Sequence, residues 1–266
     1  MNDAHELLDL LWKDYSDLIP QAKEIHALLE ARGEKVANDH IALRTYNDPR
    51  VGVEALGKYF EKHGYVAKGE YQFEAKKLRA KHFEHADPTL PLVFISELKL
   101  EEFSEELQQT VKGLIDQISD DAYAKDDFPC MGKLWDVSHE TYLKLADESE
   151  YAGWLSAFGY RANHFTVYVN ELKTIDSLEG MNQFLKDNGY ALNTSGGEIK
   201  GTPDILLEQS STLADKVEVD FADGKFVVPA CYYEFARRYP QADGTIFKGF
   251  VAQSADKIFE STDRQK

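Results

Sequence analysis

The chain has 266 residues, 43% of them hydrophobic and 12% aromatic, which is enough apolar material for one large domain or two small ones. Thirty basic residues stand against 47 acidic ones for a net charge of −17, a surface that repels phosphate backbones and anionic lipid and so excludes nucleic acid and membranes as partners. Two cysteines, no apolar run of the ~18–20 residues that span a bilayer, and a start (MNDAHELLDLLWKDY) without signal-peptide features lead to the expectation of a cytoplasmic protein working through histidines and carboxylates.

Residues 5–32 carry Leu7, Leu8, Leu11, Ile19, Ala22, Ile25, Leu28 and Leu29 at helical spacing, with Pro20 and Gly33 as breaks, so residues 1–33 read as N-terminal helices. The next block, 34–98, changes character. Asp39 to Tyr46 is a short apolar run closed by Asn47-Asp48-Pro49 and reads as a strand. A helix is expected over about 50–63, stopped at Gly64, and strands over 65–73, 77–85 and 91–98. Residues 99–158 form a helical insertion: the pattern Leu100, Phe103, Leu107, Val111, Leu114, Ile118 predicts helix over 100–125, and a further helix is expected over 138–147.

From 159 to 240 the earlier order restarts. Asn163 to Val169 reads as a strand and 175–188 as a helix stopped at Gly189, followed by strands near 190–194, 204–210, 216–221 and 225–234. Residues 241–266 form a tail with a short helix over 254–262 capped by Ser254. Asp39-His40-Ile41-Ala42-Leu43 aligns with Asn163-His164-Phe165-Thr166-Val167 at an offset of 124 (164 − 40). The helix stops His63-Gly64-Tyr65 and Asn188-Gly189-Tyr190 align at 125 (190 − 65). One internal duplication accounts for both offsets.

Of eight histidines, only His40 and His164 open strands at matching places in the two units. Strands related by a pseudo-twofold axis would point both imidazoles into one cavity, which is half of a transition-metal site. Glu234, within the aromatic run Cys231-Tyr232-Tyr233-Glu234-Phe235, is the best-placed carboxylate to complete a two-histidine-one-carboxylate set. Taken singly, each histidine reads as a hydrogen-bonded core residue and Glu234 as a surface carboxylate; taken together within the repeat, they favour metal. Arg44 lies four residues after His40, hence on the same strand face, where its guanidinium suits a substrate carboxylate or a salt bridge to an acidic neighbour. Glu97, ending the first unit's last strand as Glu234 is expected to end that of the second, could add a fourth ligand. His82, His85 and Asp87 sit in a charged strand and read as a solvated face.

Tandem strand–helix–three-strand units with these residues resemble the vicinal oxygen chelate superfamily. The fold this implies is α+β: two βαβββ units forming one curved mixed sheet around a metal, with helical N-terminal and central insertions. More narrowly, Asp39-His40-Ile41-Ala42-Leu43-Arg44-Thr45, Asn163-His164-Phe165-Thr166, Tyr233-Glu234-Phe235-Ala236-Arg237-Arg238 and the tail from Phe250 to Thr262 resemble the 2-oxoadipate dioxygenase/decarboxylase family. That resemblance implies that His40, His164 and Glu234 hold Fe(II) and that Arg44 contacts substrate as a catalytic residue. The implied reaction is of the hydroxymandelate-synthase kind: 2-oxoadipate and O2 yield 2-hydroxyglutarate and CO2, a step in lysine catabolism. Longer family members carry a C-terminal extension that reaches the substrate site and that this sequence does not include. Two other readings remain open at this point, a glyoxalase-like isomerase or lyase with Glu97 as fourth ligand, and a small-molecule binding protein of the same fold.

Overall fold

Asp3 begins the first helix by accepting the Glu6 N–H at 3.0 Å, and α1 runs Ala4–Leu18. Pro20, which lacks a backbone N–H, ends that helix and fits the first turn of the next, α2 (Pro20–Ala31). The structure is a computed structural model describing residues 3–251. The helix expected over 254–262 and its cap Ser254 lie outside the described residues.

The first unit contains β1 (Asn38–Tyr46), α3 (Val53–Glu61), β2 (Tyr65–Phe73), β3 (Leu78–His85) and β4 (Leu92–Leu98). The insertion follows as α4 (Glu105–Ile115), α5 (Asp120–Tyr123), α6 (His139–Glu148) and α7 (Glu150–Phe158). The second unit contains β5 (Ala162–Tyr168), α8 (Leu178–Asp187), β6 (Lys200–Thr202), β7 (Leu207–Ser211), β8 (Lys216–Phe221), β9 (Gly224–Pro229) and β10 (Glu234–Arg238). Eight strands form one curled sheet in the order β2-β3-β4-β1-β5-β10-β7-β6, while β8 and β9 pair only with each other. The second unit is therefore also βαβββ, with a hairpin inserted before its last strand.

The two units meet where β1 and β5 run antiparallel, and each of these strands is flanked by a parallel partner, β4 beside β1 and β10 beside β5. Gly64 and Gly189 end α3 and α8 in the same left-handed conformation, φ +90° and +86°, which L side chains seldom adopt. The convex face carries α1, whose Trp12 and Tyr15 rings lie 5.1 and 5.0 Å from that of Phe165. The concave face holds the site.

Several expectations need correction. The helix over 100–125 is two helices, separated at 116–119. The sequence reading missed α7 because every residue from Tyr151 to Phe158 is buried, which leaves no polar stripe to mark a helical period. Near 190–194 there is only a single bridge, Leu192 to Thr212; the strand lies at β6 instead. The run 225–234 is interrupted at Pro229, after which residues 230–233 bond to the 212–215 segment, and Glu234 opens β10 rather than ending a strand. His82 is not solvated: period two sends Arg79 and Lys81 to one face of β3 and His82 to the other, where it is buried against Tyr71 and Phe250.

Candidate metal centre

Two irregularities aim the histidines. Along the β1–β5 pair, Asp39 is an extra residue on β1 and Asn163 an extra residue on β5. A bulge of this kind turns its side chain toward that of its neighbour and increases local twist. Asp39 Oδ1 thus lies 2.7 Å from His40 Nδ1, and Asn163 Oδ1 lies 3.1 Å from His164 Nδ1. Arg238 holds Asp39 from the other side, Nε to Oδ2 at 2.6 Å and Nη2 to Oδ1 at 2.9 Å. Burial works against the charge of Asp39, but Arg238 and His40 together keep its carboxyl well below the usual range. An ionised Asp39 accepts the Nδ1 proton, which leaves a lone pair on His40 Nε2; Asn163 Oδ1 does the same for His164.

Those two Nε2 atoms face each other at 3.4 Å. Glu234 enters from β10, paired with Thr166 on β5, and places Oε1 3.5 Å from His40 Nε2 and Oε2 3.2 Å from His164 Nε2. All three residues are buried, with exposures of 2%, 3% and 0%. Gln209 Nε2 donates to Glu234 Oε1 at 2.6 Å, and Thr166 Oγ1 stands 3.2 Å from His40 Nε2. Burial pushes the Glu234 carboxyl up to about 6, against the pull of His40 and the Gln209 amide. Burial, then the charges of His40 and Arg44, hold the His164 imidazole well below its ordinary value.

This donor set fits a cation. Two imidazole lone pairs and a carboxylate converge, and Glu234 Oε2 accepts no hydrogen bond. Metal–ligand bonds of about 2.1 Å put neighbouring donors of a six-coordinate ion roughly 3 Å apart. The observed separations of 3.2–3.5 Å are close to that edge length. Among the described residues, His40, His164 and Glu234 are the group able to hold a metal.

Glu97 does not join them. With His40 matched to His164, Ala42 matches Thr166; Ala42 pairs with Phe94 and Thr166 with Glu234, so Phe94 is the twofold counterpart of Glu234. Glu97, three residues further on, faces the opposite side of β4. There it accepts the Val53 N–H at the start of α3 at 2.7 Å and meets Arg79 at 3.2 Å. The alternative of Glu97 as a fourth ligand counted strand ends where register decides.

Arg44 is buried on the His40 face. Its Nη1 donates to Glu150 Oε1 of α7 at 3.0 Å, and its guanidinium lies 4.9 Å from the Tyr151 ring centroid and 5.0 Å from that of Trp154. Of the two roles expected for Arg44, the structure shows the salt bridge to an acidic neighbour, and the Arg44 charge also acts on His164. Sequence reasoning missed Asp39, Asn163, Gln209, Tyr232, Arg238 and Phe250. For the first two a signal existed, since a short amide or carboxylate side chain precedes the histidine in each repeat. Phe250 packs edge-on against His40 at 4.9 Å and tilted against Phe94 at 4.7 Å. Its segment is tied down by Arg238 Nη1, which donates to the carbonyls of Phe247 and Gly249 at 3.0 and 2.8 Å.

Residues 1–125 and 131–244 match the model of the family described as 2-oxoadipate dioxygenase/decarboxylase. The chain belongs to this family. The 2-oxoadipate dioxygenase/decarboxylase of Oryza sativa is 36% identical over 283 residues, covering 94% of this chain and 76% of that protein. A crystal structure from Shewanella frigidimarina, described provisionally as a hydrolase, superposes with a TM-score of 0.91 at 54% identity over 95% of this chain and 99% of that one. Hydroxyglutarate synthase from Oryza sativa, solved in complex with 2-oxoadipate, gives 0.90 at 34% identity over 98% and 92%. A glyoxalase-superfamily protein from Ralstonia eutropha shares the fold at 22% identity, with a TM-score of 0.77 over 92% and 84%. The family's members are decarboxylating dioxygenases, and this chain is an enzyme of that class. No helix among the described residues is long and apolar enough to cross a membrane.

Proposed function

We propose that this family member is an Fe(II)-dependent enzyme that converts 2-oxoadipate and O2 to 2-hydroxyglutarate and CO2. The observation that carries the reading is the buried meeting of His40 Nε2, His164 Nε2 and Glu234. It is supported by relatives named for this reaction and by a similar structure solved with 2-oxoadipate. When bound, Fe(II) would supply a chelation point for the 2-oxo acid and electrons to activate O2.

The chain's own residues do the rest. Asp39 and Asn163 fix the histidine tautomers so that both Nε2 atoms are ligands. Two neutral imidazoles and one carboxylate leave a divalent ion with a net charge near +1, a local attraction for an anion in a protein of net charge −17. Arg44 forks a substrate carboxylate. Phe94, the counterpart of Glu234, and Phe250, which packs against it, make that side of the site apolar. Phe94 in that place favours an oxygenase over a four-ligand isomerase, because the substrate and O2 both need room at the metal.

The C1–C2 bond of the 2-oxo acid breaks and C1 leaves as CO2. One atom of O2 enters the new carboxylate and the other the neighbouring C–H bond as hydroxyl, so four electrons from the substrate reduce O2 and no second organic acid is consumed. Anaerobic loading with Fe(II), then O2 uptake across a panel of 2-oxo acids, tests this. The expected result is equal amounts of O2 consumed, CO2 released and 2-hydroxyglutarate formed, with both atoms of labelled O2 in that product. Turnover of a methylglyoxal–thiol adduct without O2, and of no 2-oxo acid, would establish the isomerase reading instead.

A further inference from the structure

Tyr232 is fully buried, and its ring stacks on that of His164 with centroids 4.7 Å apart and planes 26° apart. Its main chain is pinned: the Tyr15 hydroxyl donates to the Tyr232 carbonyl at 2.5 Å, and Thr212 holds both the N–H and the carbonyl of the next residue. Its own hydroxyl has no hydrogen-bond partner. A phenylalanine would fill the same space without burying an unsatisfied hydroxyl, so the fold alone gives no reason for tyrosine here. The charged side chains that act on that hydroxyl are, in decreasing strength, Glu234, Arg44 and Glu150. The stacking on His164 puts Tyr232 beside the candidate metal centre, and the Arg44 and Glu150 charges act on its hydroxyl. Arg44 lies four positions after His40, about 13 Å along β1, which suits the far carboxylate of a dicarboxylic acid better than the one beside the keto group.

Resting on the function proposed above, we infer that Tyr232 is a specificity-determining residue: its hydroxyl donates a hydrogen bond to the distal carboxylate of the bound 2-oxo acid, beside Arg44. The contact selects acids with a second carboxylate over those ending in methyl. Tyr233 provides the control, since its hydroxyl is also buried without a partner but its ring packs among Trp12, Tyr15 and Phe235.

The test is anaerobic calorimetry of the Fe(II)-loaded protein with 2-oxoadipate and with 2-oxohexanoate, alongside metal affinity and melting temperature. Tyr232→Phe should weaken 2-oxoadipate binding about 10- to 100-fold, as expected for loss of a hydrogen bond to a charged group. It should leave 2-oxohexanoate binding and metal affinity as in the wild type without lowering the melting temperature, and Tyr233→Phe should leave the binding of both acids and of metal unchanged. Undiminished 2-oxoadipate affinity in Tyr232→Phe overturns the inference, as does an equal loss for both acids, which would put the hydroxyl at the keto end. A wild-type holoenzyme that binds neither acid removes the proposed function itself, an outcome visible before any variant is made.

Discussion

The two βαβββ units share a backbone plan and contribute different chemistry. Each supplies a histidine from the middle of the sheet, His40 and His164, and each steadies it with the bulged residue before it, Asp39 and Asn163. Beyond that the halves diverge. The second unit offers Glu234 where the first offers Phe94, and the first offers Arg44 where the second, 124 residues on, has Tyr168. A symmetric pair would close a metal behind two histidines and two carboxylates. Where a second carboxylate would stand, the first unit has a phenyl ring, packed with Tyr71 and Phe250. The two units thus share the histidine pair and differ in what surrounds it.

If the asymmetry has this meaning, the largest effect falls on Glu234. Glu234→Gln should lower metal affinity by more than about 100-fold, beyond the usual effect of residues that only support ligands. Its effect on the metal-free protein should be the reverse. Burial raises the Glu234 carboxyl from 4.5 to about 6, so its stability contribution is complete below pH 4.5 and is lost as pH rises through 6. At pH 7 the metal-free Glu234→Gln protein should thus be more stable than wild type by roughly 2 kcal/mol. Equilibrium dialysis and denaturant titration of the metal-free protein check the two halves of this prediction.

The next contrast is between the two supporting residues. Asp39 is charged and answers Arg238, whereas Asn163 is neutral. Asp39→Asn should weaken metal binding about 10- to 100-fold. It also leaves the Arg238 guanidinium buried without a counter-charge, a loss of about 3–5 kcal/mol in global stability. Asn163→Leu should weaken metal binding by about 10-fold and strand no charge. Equal stability losses in the two variants would mean that the Arg238 pair does not matter to the fold.

The smallest effect belongs to Glu97. Glu97→Gln should leave metal affinity unchanged and change stability little, because the burial that raises the Glu97 carboxyl offsets its bond to the Val53 N–H and its pairing with partly exposed Arg79. Any loss of metal there would break the comparison, since it would restore a fourth ligand to the first unit.

How far these features can be read from the sequence follows from their range. The histidines are legible because the duplication repeats them in the same local setting, and Glu234 because a carboxylate in an aromatic run needs a partner. Arg44 is legible as period two on one strand. The exchange of Glu234 for Phe94 is not, because it depends on which residues pair across strands, and counting from strand ends selects Glu97. The Asp39–Arg238 clamp joins residues 199 positions apart, and no local pattern announces it. Helix α7, which brings Glu150, Tyr151 and Trp154 to Arg44, is hidden by its own burial: a helix apolar on every side has no amphipathic signature.

The central claim is that three protein ligands from unlike halves leave the Phe94 side of the metal to substrate. The most direct measurement is a crystal structure of the protein grown without oxygen in the presence of Fe(II) and 2-oxoadipate. We expect iron on His40 Nε2, His164 Nε2 and Glu234, with the 2-oxo acid chelated on the side facing Phe94. A fourth protein ligand at the iron, or iron bound away from these three residues, would contradict it.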